Sequence, residues 1–270
     1  MMTPVTITSL DDPRIQAYRS LEGTPVRHTK ERIFIAEGRK VTTSLLESTL
    51  QVESVFALPK YYQALTKLIE SKNIPNSFLY TADPSIMDRI VGFRLHEGVM
   101  AIGRQPEPIP LSALTFPIVA LAGVVNSENV GAIMRNCAAF GIKSIIVDAA
   151  TSSPYLRRSV RVSMGAVFSL DIQYADSIIE IVDELRANAA CSVISAEITP
   201  DSLPLPSFVF PEQSVIIFGS EGNGISPSIL EKSDAIVSVP ITAITSINVA
   251  ATSAIVLYHY QQHRGTSFIR

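Results

Sequence analysis

The sequence lacks several features that mark specialised proteins. In 270 residues it has no tryptophan, two cysteines and four histidines. Two cysteines do not form the disulfide framework of a secreted domain, and they make no cluster of metal-ligand spacing. We therefore expect Cys137 and Cys191 to be buried reduced thiols, with no metal site and a cytoplasmic location.

Long apolar runs are also missing. The longest, IVALAGVV at 118–125 and VIIFG at 215–219, are far shorter than the roughly 20 residues that cross a bilayer. The N-terminal MMTPVTITSLDDPR has no basic-then-apolar signal pattern. With 47% hydrophobic and 17% charged residues, the composition is that of compact globular domains without a membrane partner.

The net charge of −3 gives no overall field that would attract nucleic acid. The first 105 residues carry a small positive excess and the rest a negative one, so any RNA contact must be local. Basic residues cluster in two places, and the alternative for each cluster is an ordinary solvated face. The candidate RNA-binding residues are Arg27, Lys30, Arg32, Arg39, Lys40, Arg157, Arg158 and Arg161.

The organisation indicates two domains of α/β class. The segment 104–117 has four prolines and little periodicity, so the predicted division is a domain at 1–104, a linker at 105–117 and a domain at 118–270. In the first domain, short strand-like runs alternate with helix-like ones. Predicted strands are 32–38, 52–58 and 97–104, and predicted helices are 39–48, 59–71 and 83–92.

The second domain alternates more regularly. Its apolar strand candidates lack a polar alternate face, which is typical of strands buried on both sides of a parallel sheet. Such sheets bind ligands where strands end and helices begin, so the loops after 124, 219 and 239 are the candidate site. Predicted strands are 118–124, 144–148, 191–195, 214–219 and 235–239, and predicted helices are 128–140, 155–164, 175–188, 226–232 and 247–262.

The first of these loops leads into a helix with an unexplained cation. Ser127 or Asn129 is expected to cap the helix, whose N-terminus would favour an anion. Arg135 follows among apolar residues with no acid within a turn, and a buried cation needs a partner. That partner is either elsewhere in the protein or an anionic substrate.

The other two loops are rich in turn chemistry. After the apolar strand at 214–219 come Gly219, Gly222 and Gly224, which indicate a backbone cradle for a ligand. The pattern is not the dinucleotide fingerprint G-x-G-x-x-G, and the first strand has no phosphate-binding glycine turn. A nucleotide-dependent oxidoreductase is therefore the disfavoured alternative. The third loop passes Pro240 and reaches a helix through a polar turn.

The three loops, in this order, resemble the motifs of a known family, the SpoU (TrmH) class of the SPOUT RNA 2'-O-ribose methyltransferases. The first motif is matched by Asn129, Gly131 and Arg135, the second by Gly219, Glu221, Gly222 and Gly224, and the third by Pro240, Ser246 and Asn248. A further family segment, R-x-S-x-G-A, is matched at Arg161, Ser163, Gly165 and Ala166. The front of the chain is similar to the family's ribosomal-protein-like substrate-binding domain through Arg32, Phe34, Glu37 and Gly38.

The resemblance implies methyl transfer from S-adenosylmethionine to a ribose 2'-hydroxyl in RNA. It implies catalytic roles for Arg135, Asn129, Glu221, Ser246 and Asn248, with Arg135 binding an RNA phosphate. The donor would be held by Gly219, Ser220, Gly222, Gly224, Val239, Pro240, Ile241, Ser246, Ile247 and Val249. It further implies a C-terminal trefoil knot and a homodimer through the C-terminal domain, in which Arg135 acts in its own or its partner's site.

Two alternatives within the family stay open. The N-terminal domain favours rRNA over tRNA as the target, and tRNA is the alternative. The third motif lacks the usual glycine between Pro240 and Ser246 and is one residue short. A non-catalytic member that binds RNA or the donor is therefore the alternative to an enzyme.

Overall fold

The computed structural model describes residues 2–19, 21, 26–95 and 97–262, except for the side chain of Val26. The chain forms two compact units. The first comprises Met1–Glu107 and Tyr155–Phe168, and the second comprises Pro108–Pro154 and Ser169–Arg270. Residues 155–168 thus lie outside the unit in which the predicted boundaries would put them.

The first unit is a mixed sheet with helices. Strand β1 is edge-paired and parallel to β4, β4 is parallel to β3, and β5 runs antiparallel between β3 and β2. Its elements up to residue 107 are β1 (Val5–Thr6), α1 (Val26–Glu31), β2 (Ile33–Glu37), α2 (Arg39–Glu47), β3 (Val52–Ala57), α3 (Pro59–Ser71), β4 (Leu79–Thr81), α4 (Pro84–Val91) and β5 (Val99–Arg104). Buried residues of β2, β3 and β5 share one core with the 3-10 helix Pro13–Tyr18 and with α4.

The second unit is built on a parallel sheet of seven strands, in the order β10-β12-β9-β11-β6-β7-β8. The elements from residue 118 onward are β6 (Ile118–Ala122), α5 (Ser127–Ala139), β7 (Ser144–Asp148), α6 (Arg157–Val162, which belongs to the first unit), β8 (Asp171–Ala175), α7 (Ile178–Asn188), β9 (Ser192–Ala196), β10 (Leu203–Pro204), β11 (Ser214–Gly219), α8 (Pro227–Glu231), β12 (Ala235–Ser238) and α9 (Val249–Gln262).

The central strands are buried along their whole length. All five residues of β6 and all six of β11 are buried, as their unbroken apolar sequences predicted. One face of these strands packs on α7 and α8, and α9 packs against both α5 and β11. The predicted α/β class and parallel sheet are confirmed.

The proline-rich segment packs against the second unit for most of its length. The Ile109 amide donates to the Ile172 carbonyl at 3.2 Å, and the Thr115 amide donates to the Ser144 hydroxyl at 2.8 Å. Leu111, Leu114 and Phe116 contact the core of that unit. A stiff extended linker remains the prediction for 105–117, but these contacts anchor Pro108 onward.

The predicted helix at 155–164 is shorter than expected. It spans only Arg157–Val162, and a 3-10 helix follows at Ala166–Ser169. Met164 and Gly165 both adopt positive φ angles, of 56° and 83°, which the α-helix does not allow. The segment instead packs through Tyr155 and Phe168 on the ring of Phe34, at centroid distances of 5.3 and 5.2 Å.

No helix within the described residues combines the length and the apolar character that crossing a membrane requires.

Phe34 tests the membership of 155–168 in the first unit. We expect Phe34→Ala to lower the free energy of unfolding by about 3–5 kcal/mol, because the ring is 1% exposed and its loss leaves a cavity. It should also speed amide exchange in 155–168. Phe78→Ala is the matched control, because that ring is 47% exposed and should change stability by less than about 0.5 kcal/mol. Unchanged exchange in 155–168 would contradict the packing.

Candidate active site

Four loops of the second unit leave the sheet at one edge. Strands β12, β9, β11 and β6 are consecutive neighbours and all parallel, so their carboxyl ends lie side by side. The sequence predicts a site at the loops after β6, β11 and β12. It does not predict a role for the loop after β9, which nevertheless lies between two of them in the sheet order.

The loop after β11 is a closed turn that glycine makes possible. Ser220 and Gly224 exchange two backbone hydrogen bonds, of 3.1 and 3.0 Å, and the Asn223 amide donates to the Ser220 hydroxyl at 3.1 Å. A Cβ on Gly219 would lie 2.5 Å from the Gly224 carbonyl carbon, and Gly224 itself has φ of +64°. The turn therefore tolerates no side chain at either position.

The helix after β6 begins one residue earlier than expected. Asn126 is its N-cap, and the Asn126 carboxamide oxygen accepts from the Glu128 amide at 2.8 Å. The prediction that Ser127 or Asn129 caps this helix is wrong. Because Asn126 satisfies the first turn, the side chain of Asn129 is available for other contacts.

Asn129 joins the three predicted loops. The Asn129 Nδ2 donates to Glu221 Oε1 at 2.5 Å, and the Asn129 Oδ1 accepts from Asn248 Nδ2 at 3.0 Å. The Asn248 Oδ1 in turn accepts from the Ala250 amide at 2.8 Å and so caps α9. Three of the five predicted catalytic residues thus form one hydrogen-bonded chain, with Asn129 buried and Glu221 and Asn248 exposed.

A cleft of about 580 Å³ opens beside this chain. It is lined by eight of the ten predicted donor-binding residues, together with Glu221 and Asn248; the eight are Gly219, Ser220, Gly222, Gly224, Val239, Ser246, Ile247 and Val249. Pro240 and Ile241, which were predicted to bind the donor, are not part of the lining. Ser246, the fourth predicted catalytic residue, is an exposed member of the lining.

One part of the cleft lining is not predicted by the sequence. Glu197, Ile198 and Thr199 follow β9 and line it. The Thr199 hydroxyl oxygen is buried and has no hydrogen-bond partner among the described residues. The only signal for this loop in the sequence is its place after an apolar strand.

Arg135 is not a buried cation, so that premise of the sequence analysis is wrong. The side chain is exposed, because α5 turns Glu128, Arg135 and Ala139 to one outward face at spacings of seven and four residues. Among the described residues it has no hydrogen bond or ion pair through its side chain. It is an available guanidinium, but it is not part of the cleft lining.

The predicted RNA-binding residues fall into two groups. Some are engaged within the first unit: Arg27 pairs with Glu31 at 2.8 Å, and Arg32 pairs with Glu107 at 2.6 Å. The exposed remainder comprises Lys30, Arg39, Lys40, Arg158 and Arg161. No ion pair to a described residue is formed by Lys30, Arg39, Lys40 or Arg161.

Arg157 is engaged most fully. Its guanidinium donates to Glu37 at 2.8 Å and to the Leu21 carbonyl at 2.8 Å, and it lies 4.1 Å from the centre of the Phe93 ring. Its side chain is 21% exposed and that of Glu37 only 10%. Arg157 therefore stabilises the first unit and is a poor candidate for binding phosphate.

The two cysteines are both free, but only Cys137 is buried, so the prediction of a buried thiol is wrong for the partly exposed Cys191. Burial raises the pKa of the Cys137 thiol well above its usual range, which keeps it protonated and unreactive. In the described part of the chain, no group of three or more His, Cys, Asp or Glu side chains is placed to hold a metal ion.

Comparison with known proteins decides what this arrangement is. Residues 117–258, more than half of the chain, match the SpoU rRNA Methylase family. The chain belongs to the SpoU rRNA methylase family. The matched range contains all three predicted motif loops. The predicted family is confirmed, and with it the reaction class, RNA methylation with S-adenosylmethionine as the methyl donor.

Related sequences and a related crystal structure support the same assignment. This SpoU methylase is 31% identical to an uncharacterized tRNA/rRNA methyltransferase of Mycobacterium tuberculosis, over 92% of this chain and 88% of that protein. It is 24% identical to a 23S rRNA (guanosine-2'-O-)-methyltransferase of Acinetobacter baylyi, over 75% and 85% of the two chains. The crystal structure of an AdoMet-bound rRNA methyltransferase from Sinorhizobium meliloti has the same fold, with a TM-score of 0.81, 21% identity and 96% and 98% coverage.

The hydrogen-bonded chain at Asn129 is directly testable. We expect Asn129→Asp to lower the free energy of unfolding of this SpoU methylase by about 1–3 kcal/mol at neutral pH, because a carboxylate cannot donate to Glu221. The two facing carboxyl groups would share a proton in the folded state, so the folded protein binds more protons than the unfolded one. The deficit should therefore shrink as the pH falls below about 5.

The control is Asn126→Asp in the same helix. Aspartate caps a helix as well as asparagine, so this change should be nearly neutral at every pH. Denaturant unfolding of both variants at about pH 8 and pH 4 provides the measurement, on either side of the carboxyl titration. Equal losses in the two variants, or a deficit at position 129 that does not respond to pH, would contradict the assigned hydrogen bonds.

Proposed function

We propose that this SpoU methylase transfers a methyl group from S-adenosylmethionine to a ribose 2'-hydroxyl of RNA, at the cleft after β11 and β12. The observation that carries the proposal is the hydrogen-bonded chain Asn248–Asn129–Glu221, which brings three separate sequence motifs to one point beside that cleft. The Acinetobacter relative is named as a guanosine-2'-O-methyltransferase of 23S rRNA, which supports the 2'-hydroxyl as the acceptor.

The residues of the cleft fit a donor of this kind. Its volume of about 580 Å³ lies within the range of roughly 300–1,000 Å³ usual for small-molecule sites. The glycine turn presents backbone at two positions where a side chain would not fit. We extend the proposed donor site to Glu197, Ile198 and Thr199 because these three residues also line the cleft.

The chemistry is a displacement at a methyl carbon. Bound S-adenosylmethionine would supply the methyl group on a sulfonium, whose sulfur would keep the C–S electron pair and leave as a neutral thioether. The protein must align the ribose oxygen in line with that carbon and help the hydroxyl lose its proton. We assign the alignment to Asn129, Ser246 and Asn248, and we propose Glu221 as the group that receives the proton.

We propose Arg135 as the group that holds the RNA phosphate next to the reacting ribose. A guanidinium binds a phosphate through two hydrogen bonds, and its charge stabilises the oxyanion that develops on the hydroxyl. The side chain is exposed and unpaired in the described structure, so no internal contact would be broken when it binds RNA.

Three larger features remain proposals. The N-terminal unit favours rRNA over tRNA as the target, and the trefoil knot of the C-terminal region is carried over from the family. We also propose the homodimer, for which α9 offers a surface, since Ile255 is 41% exposed and Tyr258 51% exposed. The side chain of Tyr258 packs edge-on against Phe140 at the end of α5, so this surface adjoins the helix that carries Arg135.

The role of Arg135 is tested by substitution. Arg135→Ala should lower the rate of methyl incorporation into RNA by at least about 100-fold, because stabilisation of the developing oxyanion is lost. Donor affinity, measured by calorimetry, should stay within about twofold. Arg186→Ala is the control, because this arginine pairs with Asp234 through a bond of 2.7 Å and lies outside the cleft lining. Full activity in a folded Arg135→Ala protein would remove Arg135 from the mechanism.

The same variant distinguishes the two possible sites of action. If Arg135 acts in the partner's site, mixing Arg135→Ala with Glu221→Gln subunits should restore one intact site per mixed dimer and recover part of the activity. If it acts in its own site, no mixture recovers activity. Donor binding without any methyl transfer to RNA from cells that lack the modification would instead support the non-catalytic alternative.

The salt dependence of RNA binding tests the basic residues of the first unit. Arg39→Gln with Lys40→Gln should flatten the plot of log affinity against log salt, by roughly 0.7–0.9 for each phosphate that is no longer neutralised. Arg157→Gln should leave this slope unchanged while lowering thermal stability, because Arg157 already binds Glu37. An unchanged slope in the double variant would place the RNA-binding surface at Arg158 and Arg161.

A further inference from the structure

Glu197, which the sequence motifs did not single out, contacts the glycine turn of the cleft. The Glu197 Oε2 accepts from the Ile225 amide at 2.8 Å, and its Oε1 accepts from the Ile198 amide at 2.9 Å. One carboxylate thus links the loop after β9 to the residue that ends the turn after β11. Both oxygens accept from backbone amides, and no lysine, arginine or histidine lines the cleft in the described structure.

The close approach of this carboxylate requires glycine at position 224. Gly224 has φ of +64°, and the place where a Cβ would stand on Gly224 is already occupied by the carboxyl group of Glu197. Ile225 is 4% exposed and belongs to the hydrophobic core of the second unit. The end of the turn is therefore held both by apolar packing of Ile225 and by its hydrogen bond to Glu197.

The base of Glu197 is itself fixed. Its own backbone amide donates to the Val237 carbonyl at 3.0 Å, which ties the end of β9 to β12. The Glu197 backbone is hydrogen-bonded to β12, and its carboxylate is hydrogen-bonded to the loop after β11. The side chain therefore has little freedom to move. Such a contact fixes a loop that would otherwise be free to shift by the small distances that matter for ligand binding.

We propose that Glu197 is a positioning residue that holds the 219–224 turn in the shape that binds the methyl donor. The inference rests on the proposed function for the identity of the ligand, but not for the contact itself. It requires the reach of a glutamate and two acceptor oxygens, and it does not require that the negative charge of Glu197 touch the ligand.

Two variants separate position from charge. Glu197→Gln keeps the length but turns one acceptor into an NH₂ group that faces a backbone amide. Glu197→Asp keeps the charge but withdraws the oxygens by one methylene. We expect each to weaken binding about tenfold, the factor that corresponds to roughly one missing hydrogen bond to a charged acceptor.

A comparison of two ligands distinguishes a positioning role from direct contact with the positive charge of the donor. S-adenosylmethionine and S-adenosylhomocysteine differ by one methyl group and one positive charge, and calorimetry measures the affinity of both. A positioning role predicts equal losses for the two ligands in both variants. A loss confined to S-adenosylmethionine, or full affinity in Glu197→Asp, would make Glu197 a direct partner of the sulfonium charge and overturn the proposal. Full affinity in both variants would overturn it as well.

Asp234→Asn is the matched control. The Asp234 carboxylate also accepts from a backbone amide of β9, that of Val193 at 2.7 Å, but at the opposite end of the strand. This variant should lose stability without losing affinity for either ligand. A general loss of stability is thereby distinguished from a change in the turn.

A measurement without ligand keeps the inference separate from the proposed function. Amide hydrogen exchange in residues 219–226 should rise in Glu197→Gln and Glu197→Asp and stay unchanged in Asp234→Asn. If the wild-type protein binds neither ligand, the proposed function fails, while the exchange data still decide whether Glu197 holds the turn. Unchanged exchange in both Glu197 variants would overturn the inference even if the wild-type protein binds the donor.

Discussion

The hydrogen bonds of Asn129 are the interaction on which the site depends. They join Asn129 to Glu221, which lies 92 positions later in the chain, and to Asn248, which lies 119 positions later. Ordering such long segments costs conformational entropy that two hydrogen bonds could not offset alone. Packing of the core already orders these segments, because it places the ends of β6, β11 and β12 at the same edge of the parallel sheet.

Core packing orders the strands, whereas the hydrogen bonds of the site join segments that are already ordered. This difference explains which elements the sequence could predict. Strands such as β6 and β11 are buried along their whole length, so apolar runs identify them without alignment or structure. Only Ile172 and Ala175 are buried in the edge strand β8, and both residues of β10 are exposed. Neither leaves a pattern that differs from a loop, so both were missed, as was the short helix α1.

The order of strands in the sheet has no local signature at all. Glu197 escaped the sequence analysis because nothing in residues 197–199 resembles a ligand loop. Its importance comes from β9 lying between β12 and β11, an arrangement set by packing over the whole sheet. The glycine turn was predicted because its backbone needs glycine, and the residue that holds it was not, because many side chains can accept a hydrogen bond.

Arg135 and Arg157 show that the environment of a charged side chain also could not be predicted from the local sequence. Apolar neighbours in the sequence made Arg135 look buried, but those neighbours face the core from other sides of α5 while Arg135 faces outward. Arg157 was predicted from its basic cluster to bind RNA, but its side chain pairs with a carboxylate that lies 120 residues earlier. Whether a charge is free depends on tertiary contacts, which a local sequence window does not contain.

These placements separate the charged groups that stabilise the fold from those that have no side-chain partner in the described structure. Arg157 is held by a carboxylate, a carbonyl and an aromatic ring, so moving it to a substrate would sacrifice all three interactions. Arg135 has no such partners in the described structure, and a solvated guanidinium at the surface adds little to stability. A phosphate that binds Arg135 displaces only water, whereas a phosphate at Arg157 would compete with Glu37. Exposure, and not the burial that the sequence suggested, therefore makes Arg135 the better anion-binding group.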